Sequence, residues 1–565
     1  LSPLHRILRH LLGLPRRRFA SESSTHWLPL SDDVRLATTL IRPKGAGAER
    51  SPTVLIRTPL STQNSTDPSR LLARVIAEDG YTVVLQECRG RYASEGRFAP
   101  FENEARDGEE TLAWIAEQAW GRGPLGLVGF GYSGFAAWAA LSGKPERIGA
   151  MVIGFHGRDP YASLYSGGAL GLEGALHFGV GLGEREVVPD RRFDLARGVE
   201  FRPVCEADRV ALRRVHGFRS WTSHPWRDAY WSARAPALPA RPPPTLLLAG
   251  WYDPALGPQL ADYAELRRAA EVNDAPAPEL VVGPWAAGRA VRCGRRDRNR
   301  RQRSIVLRAV LSFLDRSLRD GAQRSARVRA FMHGADVWRE FPTWPPPGTE
   351  ERVFYLRSEG RANELVGDGE LSPEAPADEE SPDSFAYDPE DPVRTVGGFR
   401  IGQWGPADQR PVEARADVLC YSTPPLAADL EVAGPVRLVL FAASSAPDTD
   451  FTAKLVDVAP DGRAAHRCEG IVRARRQAEG ETPIWFEADA PRRFEIDLWA
   501  TSCRFRAGHR IRVEVSSSNF PRFDRNPNTR DEPETADAEH SSVARQTVLH
   551  DAEHPSQLVL RVLMH

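Results

Sequence analysis

The chain has 565 residues, enough for two or three domains, each with a core of its own. Its 74 Lys and Arg against 76 Asp and Glu leave a formal charge of −2, so no global field favours nucleic acid or a membrane surface. Six cysteines (Cys88, Cys205, Cys293, Cys420, Cys468, Cys503) are scattered without a CxxC pair, which argues against a zinc site or disulfide framework and for reduced thiols in the cytoplasm.

Residues 1–26 read as an N-terminal extension. Its opening, "LSPLHRILRHLLGLPRRRF", is basic and partly apolar and suits a short amphipathic helix. No apolar run in it approaches a signal-peptide core or a membrane span. From residue 27 strands and helices alternate. "TVLIRTP" (53–59) and "YTVVLQECRG" (81–90) are apolar, β-branched runs suited to buried parallel strands. Between them "SRLLARVIAEDG" has helical spacing and a glycine stop. "DGEETLAWIAEQ" (107–118) is a second amphipathic helix, and "LGLVGF" (125–130), "IGAMVIGF" (148–155), "TLLLAG" (245–250) and "ELVVGPW" (279–285) continue the strands. This alternation predicts an α/β domain over 27–340, a mostly parallel sheet with helices on both faces.

Residues 157–240 break the alternation with Gly-, Arg- and Trp-rich helical pieces ending in "PALPARPPP", and read as an inserted helical cap. The run "RAVRCGRRDRNRRQR" (289–303) holds eight arginines and reads as a solvated face. After "WPPPG", short strands punctuated by Gly, Pro and Asp predict an all-β sandwich over 341–565. Within it the acidic, proline-rich stretch 366–395 reads as a surface loop or connector.

"GLVGFGYSGFAAWAAL" (126–141) has the rhythm of a nucleophile elbow, a sharp strand-to-helix bend whose neighbours at −2 and +2 must be small. With Ser133 at the bend, bulky Phe135 occupies +2. With Gly131 at the bend, Gly129 and Ser133 flank it and both are small, so this register fits better. Its central residue has no side chain. Gly129, Gly131 and Gly134 also match a phosphate-binding GxGxxG, but that motif alone is weak, and no cofactor or metal is expected.

Several motifs, in order, resemble the cocaine esterase / X-Pro dipeptidyl-peptidase (CocE/NonD) family over nearly the full chain. They are "QECRGRYASEG", "NEARDGEETLAWIAEQAWGRGPLG", "AGWYDP", "VVGPW", "SSAPDTDFTAKLVDV", "AGHRIRVEVSSSNFPRFDRNPNT" and "VARQTVLHDAEHPS". The resemblance implies an α/β-hydrolase fold with a helical cap and a C-terminal jelly roll. The family's elbow, G-x-S-Y-x-G-x-x-x-W, runs here from Gly129 to Trp138, so Gly131 takes the serine position. The acid of "GWYD" is retained as Asp253. The base of "GPWxH" is replaced by Ala287, and the oxyanion tyrosine of "R-x-P-Y" by Leu60, leaving the backbone N–H of Tyr132 as the remaining donor.

Three replaced groups imply that a Ser-His-Asp mechanism is not used, since losing triad members typically costs roughly 10⁴- to 10⁶-fold in rate. His156 follows a strand end where α/β sites gather, and is a candidate acid or base as well as an ordinary loop histidine. Ser133 is a candidate displaced nucleophile, or simply the small residue an elbow needs. Asp253 is either a stray carboxylate or a repurposed base. Trp251 and Trp285 are expected to wall the pocket, with Gly131, Ala287 and Leu60 leaving room for an acyl or peptidyl small molecule. The reading that leads is non-hydrolytic chemistry on such a molecule. A ligand-binding pseudohydrolase and a hydrolase using Ser133 are the alternatives, and a homo-oligomer is compatible with each.

Overall fold

In the computed structural model the described residues are 17–45, 51–64, 67–142, 145–183, 194–211, 215–286, 289–290, 299–321, 327–363, 367–377, 379–476 and 482–564. The proposed N-terminal helix lies almost wholly outside them, as do Ala287 and most of the arginine run. Contacts divide the described chain into two compact units, one drawn from Leu1–Pro160 and Ala233–Arg329, the other from Tyr161–Gly183, Val188–Ser232 and Ala330–His565.

In the first unit eight strands lie in the order β1-β2-β4-β3-β5-β6-β7-β8. These are β1 (Ala20–Pro29), β2 (Arg35–Lys44), β3 (Thr53–Thr58), β4 (Thr82–Glu87), β5 (Leu125–Phe130), β6 (Ile148–Gly154), β7 (Thr245–Gly250) and β8 (Glu279–Gly283). The pairings from β4 through β8 are parallel, and β1 and β2 pair antiparallel at one edge. The inner strands read as unbroken apolar runs because helices cover both faces of a parallel sheet, so neither side chain row meets water. β3, β4 and β7 are accordingly buried at every position. The flanking helices are α1 (Pro68–Glu78), α2 (Glu104–Glu117), α3 (Tyr132–Leu141), α4 (Leu256–Asn273) and α5 (Asn299–Asp315). β1 starts at Ala20, seven residues ahead of the alternation read from the sequence.

The second unit holds an eleven-stranded, mainly antiparallel β-sandwich. Its longest pair joins Leu430–Ser444 to Arg492–Phe505, and its core is apolar and continuous, from Phe354 and Leu356 to Leu560 and Val562. The fold is thus an α/β-hydrolase core followed by a C-terminal jelly-roll-like sandwich. The stretch 366–395 is not simply a loop. It contains strands Glu370–Ser372 and Asp383–Tyr387, the second pairing antiparallel with Ala544–Leu549. The signal was the alternation in "DSFAY", which buries Asp383, Phe385 and Tyr387 and exposes the residues between.

Helices Leu172–Gly183, Leu195–Glu200, Ala207–Ala211 and His216–Thr222 belong with this sandwich unit. The Arg473 N–H donates to the Gly167 carbonyl at 2.8 Å, the Leu170 N–H to Asp524 Oδ1 at 2.9 Å, and the Cys205 N–H to the Glu534 carbonyl at 2.8 Å. Beneath these contacts lies an ionic core. The Arg473 guanidinium, with no exposed area, donates to both oxygens of Asp450 and both of Asp524 at 2.9–3.1 Å. Arg476 forks onto Glu534 with two bonds of 2.9 Å and reaches the Gly168 carbonyl.

Among the described residues no helix is long and apolar enough to cross a membrane. The five described cysteines are unpaired, and Cys293 lies outside the described set.

Candidate active site

The candidate residues of the first unit collect at the C-terminal ends of adjacent parallel strands. Gly131 follows β5, His156 follows β6, and Asp253 follows β7; Ala287 lies outside the described residues. Register ties these ends together: Phe130 pairs with Gly154, Gly154 with Leu248, and Gly250 with Gly283. The strand ends of such sheets are where ligands gather.

At the bend Gly131 has φ 58° and ψ −133°, outside the regions that L-residues adopt without strain. Its N–H donates to the Gly154 carbonyl at 2.8 Å, and its own carbonyl accepts from Gly134 N–H at 2.7 Å. Apart from Gly131 and its two chain neighbours, no described atom lies within 4 Å of where a Cβ on Gly131 would stand. Gly129 is the opposite case. A Cβ there would lie 1.9 Å from the backbone oxygen of Ser133, so the helix can follow the strand this closely only with glycine at that position. Ser133 itself lies in the first turn of α3 and is 4 % exposed.

Tyr132 is buried, and its hydroxyl is committed below the bend. It donates to Glu104 Oε1 and accepts the Phe101 N–H at 2.9 Å. Burial pushes the Glu104 carboxyl up to about 7. The Glu104 carbonyl accepts from Arg57 at 2.6 Å, and Arg57 also faces Asp107 at 3.6 Å. Arg89 donates to the same Asp107 at 2.7 Å. Arg57, Glu104 and Asp107 hold the floor under the elbow, and none was picked out from the sequence. Glu104 and Asp107 look there like the polar face of a helix. Their three-residue spacing at a helix start, with glycine at 108, was the available signal.

His156 is buried between aromatic rings, its ring centroid 6.1 Å from Phe101 and 5.7 Å from Phe135. Nδ1 lies 2.6 Å from the Gly157 carbonyl, which can only accept, so Nδ1 carries the proton of the neutral ring. Burial lowers its pKa from 6.5 to about 4. The folded state therefore takes up this proton later than the unfolded chain as pH falls. Its contribution to stability is intact above pH 6.5 and lost between 6.5 and 4. Relative to His156→Gln, the wild type should lose about 2 kcal/mol between pH 7.5 and pH 5. Urea unfolding at the two pH values reads this directly.

Asp253 is buried and closes the turn into α4, its Oδ1 accepting the Ala255 N–H at 2.9 Å and its carbonyl the Leu256 N–H at 2.9 Å. A neighbour absent from the sequence reading, Asp262 on α4, accepts the Arg158 backbone N–H at 2.7 Å and so ties this helix to the His156 loop. Burial pushes its carboxyl up to about 8, against the pull of the Arg158 guanidinium. Trp251 and Trp285 are 1 % exposed, and the Trp285 indole donates to the Ala249 carbonyl. Leu60 is half-buried in a turn whose N–H donates to Thr58 Oγ1 at 3.2 Å. Among the described residues no three His, Cys, Asp or Glu side chains are grouped to hold a metal ion.

Fold and strand-end turn together define an α/β hydrolase with an appended β-sandwich. The sequence model of X-Pro dipeptidyl-peptidase (S15 family) matches residues 32–287, and that of the X-Pro dipeptidyl-peptidase C-terminal non-catalytic domain matches 320–559. Cocaine esterase of Rhodococcus sp. (strain MB1 Bresler) is 37 % identical, the match covering 96 % of this chain and 99 % of that one. A putative serine esterase of Mycobacterium bovis is 25 % identical, covering 90 % and 92 %. The chain belongs to this CocE-like family of X-Pro dipeptidyl-peptidases and esterases. Among solved structures, an α-amino acid ester hydrolase superposes with a TM-score of 0.82 at 24 % identity, covering all of both chains. An aminopeptidase from a Thaumarchaeota archaeon gives the same TM-score and identity over 97 % of each.

Proposed function

We propose that this chain binds an acyl or peptidyl small molecule at the strand-end site and does not hydrolyse it through a serine. One observation carries the reading: the residue in the strained elbow conformation is Gly131, with open space where a nucleophile's Cβ would be. Ala287 and Leu60, at the family's base and oxyanion positions, support it. A serine mechanism needs nucleophile, base and oxyanion donors together, and the deficits act as a unit. Asp253 is retained because it closes the turn into α4, a task independent of turnover.

A second reading, non-hydrolytic conversion such as elimination, cyclisation or isomerisation, is favoured by His156. Its ring is held neutral with the proton fixed on Nδ1, so Nε2 carries the ring's lone pair, although burial weakens it as a base. The test is a fluorophosphonate probe read by intact mass, followed by incubation with an ester and peptide library and recovery of what is bound. No adduct and ligands recovered unchanged are expected. Ligands recovered converted would favour the second reading. An adduct lost in Ser133→Ala would overturn both and restore a displaced serine nucleophile.

A further inference from the structure

Far from the elbow, at the opposite ends of β7 and β8, the first unit has a cavity of about 550 Å³ under α5. Pockets that hold small ligands run from about 300 to 1,000 Å³. Its floor is largely aliphatic: Leu246 of β7 and Val281 of β8, on the sheet face that also carries Glu279, with Ile305 and Ala309 of α5. Its rim is cationic for two geometric reasons. Helical spacing of four sets Ser304, Arg308 and Ser312 in one row along α5, beside the apolar row of Ile305 and Ala309, and Arg316 follows in the π-helical turn that continues it. Period two sets Arg327 and Arg329 on one face where the chain enters the strand Val328–Met332, with Val328 buried on the other.

The lining therefore carries four arginines and one carboxylate, Glu279. That carboxylate already accepts from Arg316 at 2.6 Å, while Arg316 also donates to Ser312 Oγ at 2.7 Å. Arg308, Arg327 and Arg329 have interactions of their own, and the residues lining the cavity carry more positive than negative charge. Guanidinium forks match a carboxylate bidentately, and the aliphatic side chains beside them offer a surface for a hydrocarbon chain.

We propose that this cavity binds an anionic amphiphile, a monocarboxylate on an unbranched aliphatic chain, with the head on the arginine rim and the chain on the aliphatic floor. Nothing in the strand-end reading is needed for it. The test is calorimetric titration of the full chain with sodium dodecanoate, with dodecanol (chain without charge) and acetate (charge without chain) as arms. One-to-one binding of dodecanoate is expected, at least tenfold tighter than dodecanol, with acetate silent. Affinity should fall at least tenfold in Arg327→Gln/Arg329→Gln and in Ala309→Trp, which fills the floor without altering charge. The variant Arg327→Lys/Arg329→Lys, which keeps the charge but loses the bidentate fork, should bind between the wild type and the glutamine variant and serves as the folding control. Binding unchanged in both groove variants, or dodecanol as tight as dodecanoate, would overturn the proposal. So would binding lost only in Leu60→Trp, which places the carboxylate at the strand ends.

Discussion

On the proposed reading, the variant Gly131→Ser/Ala287→His/Leu60→Tyr should hydrolyse p-nitrophenyl acetate at least about 10³-fold faster than the wild type, because it puts a nucleophile, a base and an oxyanion donor at the family's positions. Space for the serine is present, since nothing described beyond residue 131 and its two chain neighbours lies within 4 Å of its Cβ. Asp253, at the end of β7, is the carboxylate that would orient the histidine on that reading. The single variants should gain little, because a nucleophile without a base, or a base without a nucleophile, leaves the mechanism incomplete. Gly131→Ser alone should also cost about 1–3 kcal/mol, the strain of a side chain at φ 58°. Steady-state rates for the single and triple variants, with fluorophosphonate labelling of the triple, check this. A triple variant that stays inactive and unlabelled would show that the bend at Gly131 is not a functional elbow.

The second large effect lies in the sandwich unit. Arg473→Ala should destabilise it by about 3–5 kcal/mol, because Asp450 and Asp524 would be left charged and buried without their partner. Asp450→Asn/Arg473→Met, which removes charge from both sides, should cost less than the sum of the two single changes. Denaturant midpoints read by near-ultraviolet circular dichroism report it. Equal costs for Arg473→Ala and an exposed control such as Arg493→Ala would refute the assignment.

The first unit was largely legible in the sequence, because parallel strands buried on both faces leave unbroken apolar runs. "LGLVGF" and "TLLLAG" are strands to the residue. The bend was legible too, since only glycine at 129 lets α3 follow β5 so closely. Buried charge was not legible. Glu104 and Asp107 have the spacing of a solvated helix face, and "RARR" (473–476) reads as exposed, yet Arg473 and Arg475 are fully buried. What buries them are partners far away in the chain: Asp448 and Asp450, Asp524 and Glu534. The link between the sequence segment around 167–205 and the sandwich was not legible for the same reason. That segment's anchoring to Arg473, Asp524 and Glu534 spans about three hundred residues and leaves no local pattern.

A glycine in the elbow has one further consequence, for evolutionary direction. With no side chain at φ 58°, the bend carries none of the strain a serine would impose, so the fold is relieved of a standing cost. Each single step back reverses that without reward. Serine at 131 adds strain while alanine stands at 287, and histidine at 287 finds nothing to deprotonate while glycine stands at 131. On the proposed reading the lineage sits across a fitness valley from its hydrolase relatives, and drift alone does not carry it back.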